Sequence, residues 1–418
     1  MIQPKRSNFP RIAIVGQGYV GLPLAQAFVE SGVEVIAVES NPDVIRDIEL
    51  KKSHIEGITS HDLTAMLESG KYQVQRNVDL ISQCECVIIC VPTPLDKDGK
   101  PDLTILESAV KSVAPHLSSD SILISESTSF PGTLRNVIQP LVLSLNKYGS
   151  KIHLAAAPER VDPGNKSWNQ KNTPRLISGL TEEAKRRALE IYSYIAEKPI
   201  LVSSPEIAES AKLLENSFRL VNIAFINEFS QSMTRLGIDA LEVIEAAATK
   251  PYGFMKFSPG IGAGGHCIPV DPVYLAQYLA GKDISHPLLQ KAITSNEETF
   301  QFIIDLVKSS KVQPKSILVV GLSYKEGIND LRESPAIRIL DELRKAYDVS
   351  FYDDAILHFD GLERTVNLRG YDLVLILVKQ SKLDVHDLAV GNSVVWNCTG
   401  IMIKDPNISN IFDGKDFE

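Results

Sequence analysis

The stretch Gly262-Ala-Gly-Gly-His-Cys-Ile-Pro-Val-Asp-Pro272 sets one thiol behind three glycines and four positions ahead of a carboxylate. Glycine lets a backbone come close to a ligand and take up positive φ, and Pro269 and Pro272 stiffen the chain around Val270 and Asp271. Reactive thiols occupy polar loops of this kind. The chain has five cysteines. Cys84, Cys86 and Cys90 lie in or just before the apolar run Cys86–Val91, and Cys398 follows Val394-Val-Trp-Asn397, so these four read as inert core thiols. Cys267 sits in no apolar run and is the expected nucleophile.

Two further groups bear on that thiol. Lys212 and Asn216 are four residues apart, so on a helix they share a face. An ammonium and an amide there can stabilise an oxyanion, although a lone lysine on a helix is as readily a solvated one. Near the start, Gly16-Gln-Gly18-Tyr-Val-Gly21 follows the strand pattern Arg11–Gly16 and opens a helix that runs through Phe28; a second strand, Val33–Val38, ends on Glu39. Strand, glycine turn, helix, strand and acid in this order make a dinucleotide site, with the pyrophosphate on the helix N-terminus and Glu39 on the ribose hydroxyls. A carboxylate there repels a 2'-phosphate, which favours NAD over NADP.

A simple alcohol dehydrogenase removes one hydride and needs no thiol. Carrying an alcohol on to an acid requires the intermediate aldehyde to become a hydride donor again, and a cysteine that adds to it does this by way of a thiohemiacetal and a thioester. An NAD site and a thiol in one chain therefore point to a four-electron oxidation.

The elements that must hold these residues alternate β and α, the pattern of a doubly wound parallel sheet. Strands are expected at Cys86–Val91, Ser121–Ser125 and His153–Ala157, and ligands in such sheets bind beyond the carboxyl ends of the strands. That places Thr93, Thr128 and Glu159 as site candidates, each of which reads equally as a turn or cap residue. Near Ser203 the period changes. Ser204 and Pro205 can start a helix, and apolar residues recur at Ile207, Ala211, Leu214, Phe218, Val221, Phe225, Phe229, Met233 and Leu236 before Gly237 stops it. A helix of about thirty residues, ~45 Å long, is expected to bridge domains or subunits. A second helical stretch, Ile284 to about Lys311, leads into another α/β unit with strands at Lys315–Gly321, Val349–Tyr352, Leu373–Val378 and Val394–Trp396. Its turn, Gly321-Leu-Ser-Tyr-Lys325, lacks the second glycine, so it is not expected to be a second NAD site. The fold class is thus α/β, with two Rossmann-like doubly wound domains, 1–203 and 313–418, joined by a central helical domain, 204–312.

Composition excludes several classes. The chain of 418 residues, 44% hydrophobic and 23% charged, is ordinary for a globular protein, and its net charge of -9 argues against nucleic-acid binding. An odd number of cysteines, with no CxxC pair and no Cys/His cluster, argues for a reducing compartment and against a metal site. No apolar h-region precedes the first strand and no run approaches membrane-spanning length, so a cytoplasmic location without membrane attachment is expected.

The chain resembles the nucleotide-sugar 6-dehydrogenases, the UDP-glucose, UDP-N-acetylhexosamine and GDP-mannose dehydrogenase group. The resemblance rests on Gly16-Gln-Gly-Tyr-Val-Gly-Leu-Pro23, Val91-Pro-Thr-Pro94, Ser127-Thr128 with Pro131-Gly-Thr133, Pro158-Glu159 and Lys212-Leu-Leu-Glu-Asn216. It continues in Gly264-Gly-His-Cys-Ile-Pro-Val-Asp271 and in Gly321-Leu-Ser-Tyr-Lys325 followed by Asp330-Leu-Arg-Glu-Ser-Pro335. It implies that Cys267 is the nucleophile, that Lys212 and Asn216 stabilise the alkoxide and oxyanion, and that Asp271, Thr128 and Glu159 serve water and thioester hydrolysis. Gly16, Gly18, Tyr19, Val20, Gly21, Glu39, Thr93, Thr128 and Arg332 would meet the cofactor. Glu159, Arg160, Lys212, Asn216, Lys250, Gly264 and Lys325 would meet a UDP-sugar. The resemblance further implies a homodimer or higher homo-oligomer built on the long helix, and a C-terminal domain that holds the uridine diphosphate. Lys250-Pro-Tyr252 stands where many members carry an arginine, and Trp396-Asn-Cys-Thr-Gly400 lacks a basic residue common there. Cys267-Ile-Pro-Val-Asp271 is similar to the N-acetylhexosamine branch, and Lys250–Phe257 resembles its UDP-N-acetylglucosamine and UDP-N-acetylgalactosamine members, which together imply UDP-N-acetyl-D-glucosamine as substrate, with its manno and galacto epimers as alternatives.

Overall fold

The computed structural model describes residues 10–162, 165 and 167–415. The chain divides into two compact units, the first ending at Glu215 and the second beginning at Asn216.

In the first unit, β1 (Arg11–Val15), β2 (Glu34–Val38), β3 (Tyr72–Gln75), β4 (Cys86–Ile89), β5 (Ile122–Ser125), β6 (His153–Ala156), β7 (Arg175–Gly179) and β8 (Pro199–Leu201) form one sheet. Its order is 3-2-1-4-5-6-7-8. The first six strands are parallel in the Rossmann order, while β7 pairs antiparallel with β6. Both faces are covered. Ile12, Ile14, Leu22, Phe28 and Ile88 pack on one side, and Ala13, Val87, Ile89, Leu123 and Leu134 on the other. This two-sided burial is why β1, β4 and β5 read as continuous apolar runs.

The second unit carries β9 (Ser316–Val320), β10 (Asp348–Tyr352), a hairpin of β11 (His358–Phe359) and β12 (Leu362–Glu363), β13 (Leu373–Ile376), β14 (Val394–Asn397) and β15 (Ile408–Asn410). Its five-stranded sheet is parallel, in the order β10-β9-β13-β14-β15. Counted from β9 this is the other common doubly wound order, with its switch point between β9 and β13. Helices Ala240–Ala248, Asp271–Ala280 and Pro287–Ser309 precede the sheet.

The long helix runs Pro205–Arg235, with proline in its first turn as expected; Gly237 beyond its end takes φ +72. Its apolar stripe lies on the open side, and polar residues share the buried side with Leu213, Leu220 and Ile226. Ile207, Leu214, Phe218 and Phe225 are exposed, while Glu209, Lys212, Asn216, Ser217, Asn227 and Ser230 are buried. Other differences have local reasons. The second helical stretch begins at Pro287, not Ile284, because Pro287 is best placed in the first helical turn. Strand β7 escapes the apolar pattern because two of its buried residues are Arg175 and Ser178. Among the described residues no helix is long and apolar enough to cross a membrane.

Candidate active site

The glycine turn after β1 is built by close approach. A Cβ on Gly16, whose φ is +91, would lie 2.6 Å from the carbonyl oxygen of Cys90, and one on Gly21 would lie 1.8 Å from that of Gly16. Gly18, by contrast, faces open space. The turn is therefore packed tightly behind and open in front, just ahead of helix Gly21–Glu30. Glu39, at the end of β2, accepts the N–H groups of Gln17 at 2.8 Å, Ser40 at 2.7 Å and Asn41 at 2.9 Å. An open glycine beside a helix N-terminus, with a carboxylate fixed against the same turn, fits a dinucleotide. Tyr19 and Val20 pack partly against the core, with the Tyr19 hydroxyl 2.8 Å from Glu56.

Beyond β4 and β5, the Ser127 hydroxyl accepts the Val91 N–H at 3.0 Å and donates to the Val91 carbonyl at 2.8 Å. It ties the loop of Thr128 to the loop of Thr93, a buried residue. Glu209, from the long helix, accepts the N–H groups of Gly132 at 2.6 Å and Leu134 at 2.9 Å. Burial pushes Glu209 up to about 7 against those bonds. This helix turn, which also carries Lys212, is thus fastened to the Thr128 loop.

Past β6, Glu159 is buried. Burial works against its ionisation, yet Arg175, the Val161 N–H, Gln170 and Lys212 outweigh it and hold Glu159 at about 2. Lys212 is itself buried, at 8% exposure, which removes the solvated-face reading. The Arg160 guanidinium turns to Glu215, at 3.1 and 2.6 Å, and to the Pro174 carbonyl at 2.7 Å.

The thiol lies in the second unit. Of the five cysteines Cys267 alone is exposed. Burial pushes the Cys84 thiol up to about 12 and those of Cys86, Cys90 and Cys398 upward too, so the four expected core thiols are poor nucleophiles. Two positions ahead of Cys267 have no room for a side chain. A Cβ on Gly264 would lie 2.8 Å from the Glu333 carbonyl and 2.8 Å from Tyr324 Cβ, and one on Gly265 would lie 2.8 Å from the Tyr324 ring. The Gly265 N–H donates to the Arg332 carbonyl at 3.0 Å. The two family motifs, thiol loop and Gly321–Pro335, are thereby one structure. Asp271 opens helix Asp271–Ala280; it is buried, and Asn216 donates to its Oδ2 at 2.5 Å. His266 is held down at about 4, chiefly by burial and also by Arg332, so it is neutral near pH 7 and no imidazolium adjoins the thiol.

Arg332 forks onto Asp330, with its Nη2 2.7 Å from Oδ2, and Lys325 is exposed. Lys250 is exposed and stands 5.0 Å over the Tyr252 ring. At the second glycine turn, Gly321 has φ +92 and is pressed against Val378, but Asp353 accepts the N–H groups of Leu322 at 2.8 Å and Ser323 at 3.1 Å. That carboxylate holds the turn as Glu39 holds the first one through the Gln17 N–H. Among the described residues no group of three or more His, Cys, Asp or Glu side chains could hold a metal ion.

Sequence reasoning missed Asn296. From helix Pro287–Ser309 its amide accepts the Ala263 N–H at 2.7 Å and donates to the Ala263 carbonyl at 3.1 Å, bracing the thiol loop. It also missed Asn227, which accepts the Gly260 N–H at 2.8 Å, and Gln170 and Arg175 around Glu159. An asparagine on a helix gives no sign in sequence of being buried.

Three family models match in order. Residues 10–196 match the UDP-glucose/GDP-mannose dehydrogenase family NAD binding domain, 206–298 its central domain and 318–404 its UDP binding domain. A UDP-N-acetyl-D-mannosamine dehydrogenase of Pyrococcus horikoshii is 34% identical over 97% of this chain and 98% of its own. A UDP-N-acetyl-D-glucosamine 6-dehydrogenase of Pseudomonas aeruginosa is 31% identical over 89% of this chain and 91% of its own. Among solved structures, a UDP-D-ManNAc dehydrogenase from Pyrococcus horikoshii superposes with a TM-score of 0.87 at 31% identity, over 97% of this chain and 99% of that one.

Proposed function

The chain belongs to the UDP-glucose/GDP-mannose dehydrogenase family, and from that premise we propose that it oxidises C6 of a UDP-N-acetylhexosamine to the uronate. As a nucleotide-sugar 6-dehydrogenase it is NAD-dependent. The observation that carries the finer reading is the one exposed thiol, Cys267, behind Gly264 and Gly265, which have no room for a side chain.

Bound NAD would supply the hydride acceptor for the first oxidation, and a second NAD, taking the place of the NADH formed, would do so for the second. The glycine turn with Gly16, Gly18 and Gly21 holds the pyrophosphate, Glu39 the ribose, and Thr93, Thr128 and Arg332 further parts of the cofactor. Lys212 and Asn216 stabilise the C6 alkoxide as the alcohol loses its proton and then its hydride. The Cys267 sulfur adds to the resulting aldehyde carbon, and Lys212 and Asn216 again meet the oxyanion. Loss of the second hydride leaves a thioester. Glu159, Thr128 and Asp271 position the water that breaks the C–S bond, giving carboxylate and free thiol. Gly264, Lys250, Arg160 and Lys325 serve substrate binding.

The Lys250–Phe257 segment, similar to that of UDP-N-acetylglucosamine and UDP-N-acetylgalactosamine members, supports the gluco epimer, and a Pseudomonas relative carries that name. Relatives from Pyrococcus, Methanocaldococcus and Escherichia are named for the manno epimer, so UDP-N-acetylmannosamine is an equally supported second reading. Both share the physical requirement. A site with polar partners for a 2-acetamido group leaves them unpaired around plain glucose, which costs about 10⁴-fold or more in kcat/KM. A panel of UDP-N-acetylglucosamine, its manno and galacto epimers and UDP-glucose is expected to show kcat/KM highest on an acetamido sugar. NADP should give less than about a tenth of the NAD value, because Glu39 repels its 2'-phosphate. Preference for UDP-glucose, or equal use of NADP, would contradict the reading.

The exposed stripe Ile207, Leu214, Phe218 and Phe225 supports a homodimer or higher homo-oligomer, since covering what each half-exposed side chain still shows contributes on the order of 1 kcal/mol. Sedimentation at micromolar concentration is expected to give a dimer or larger. A wild-type monomer would refute it.

A further inference from the structure

The Glu159 carboxylate is held on both oxygens. Oε1 accepts the N–H groups of Arg160 at 2.7 Å and Val161 at 2.6 Å. Oε2 accepts Gln170 Nε2 at 2.9 Å and Arg175 Nη2 at 3.1 Å, and the same Arg175 nitrogen donates to Gln170 Oε1. The other arm of Arg175 lies 2.9 Å from Glu126 Oε1, which also accepts the Tyr192 hydroxyl. The Tyr192 ring lies 4.8 Å from the guanidinium carbon. The side chains are 4% (Arg175), 0% (Glu126) and 9% (Glu159) exposed.

A buried cluster with two carboxylates and one guanidinium is a poor way to stabilise a fold. Desolvating three charges costs more than an apolar replacement of the same shape. The cluster is also asymmetric. Burial pushes Glu126 up to about 7 against the pull of Arg175, whereas Glu159 stays at about 2. Glu126 Oε2 is buried and has no hydrogen-bond partner, which suits a protonated acid. The charged and titratable groups facing the cluster are Cys86 from β4, Cys90 just beyond it, Tyr192 from helix Glu182–Tyr192 and Lys212 from the long helix. None of the four can meet both carboxylates at once, as the planar Arg175 does with Nη2 at Glu159 and Nη1 at Glu126.

We propose that Arg175 is a positioning residue, whose guanidinium, clamped between Glu126 and Glu159 over the Tyr192 ring, fixes the orientation in which Glu159 acts. The proposal rests on the reading of Glu159 as the residue that serves thioester hydrolysis. When Glu126 is neutral, the guanidinium is committed to Glu159. When Glu126 ionises it competes for Arg175 and loosens that hold.

The test uses the full-length chain. The Glu159 carboxyl carbon is followed by ¹³C NMR from about pH 5.5 to 9, assigned by its loss in Glu159→Gln. In the wild type it should show an inflection near the Glu126 value of about 7, absent in Glu126→Gln. Arg175→Lys should displace the resonance and lower kcat at least about tenfold, with KM for the UDP-sugar within about threefold. An inflection that persists in Glu126→Gln, or wild-type kcat in Arg175→Lys, overturns the proposal. If Arg175→Lys does not fold, the Glu126→Gln spectrum decides. A wild-type chain that makes no NADH on any UDP-sugar would refute the functional reading, while the NMR inflection still tests the positioning.

Discussion

Cys267→Ser is expected to lower uronate formation at least about a thousandfold while NAD binding stays unchanged. Thiol and hydroxyl are nearly the same size, so the glycine loop that packs on Tyr324 and Glu333 is undisturbed. What changes is the nucleophile. Sulfur is intrinsically the stronger nucleophile, whereas a serine hydroxyl needs an adjacent base. His266, the neighbour of Cys267 in the chain, is buried and loses its proton at about 4, with its Nε2 lacking a partner. The serine variant should therefore stall before the second hydride transfer. NAD binding, measured by calorimetry, should survive because Gly16, Gly18 and Glu39 belong to the other unit. Full turnover by Cys267→Ser would end the covalent route.

Lys212→Ala is expected to lower kcat about a hundredfold, or roughly 3 kcal/mol of transition-state stabilisation, with KM for the UDP-sugar changed less than about threefold. The contact between an ammonium and an oxygen strengthens as negative charge develops on that oxygen, so its loss falls on the chemical step. Lys212 is buried at 8% exposure on the same helix face as Asn216, and its charge helps hold Glu159 ionised. Losing it also lets Glu159 drift upward. Steady-state kinetics with unchanged kcat and raised KM would make Lys212 a binding residue only.

What was legible in the sequence is whatever backbone sterics or two-sided burial leaves as a residue type. The glycines of the first turn and of the thiol loop could be read because Gly16, Gly21, Gly264 and Gly265 have no room for a Cβ. Strands β1, β4, β5, β9 and β13 could be read because they are apolar on both faces. The long helix was readable in extent but not in facing. An apolar stripe ordinarily marks the buried side, yet here Leu214 and Phe225 are exposed and Lys212 and Asn216 are buried. Strand β7 and the grip on Glu159 were hidden for a related reason. Arg175 and Gln170 are polar types that sequence statistics place at the surface, and only the fold shows them enclosed. Asn296 and Asp353 satisfy backbone donors far away in sequence, a role with no local pattern.

The central claim is a four-electron oxidation through Cys267, and counting NADH per UDP-sugar consumed tests it most directly. With the preferred acetamido sugar, the wild-type chain should form two NADH for each uronate, and Cys267→Ser should form no uronate. One NADH per sugar, with an aldehyde or ketone as the final product of the wild type, would contradict the account.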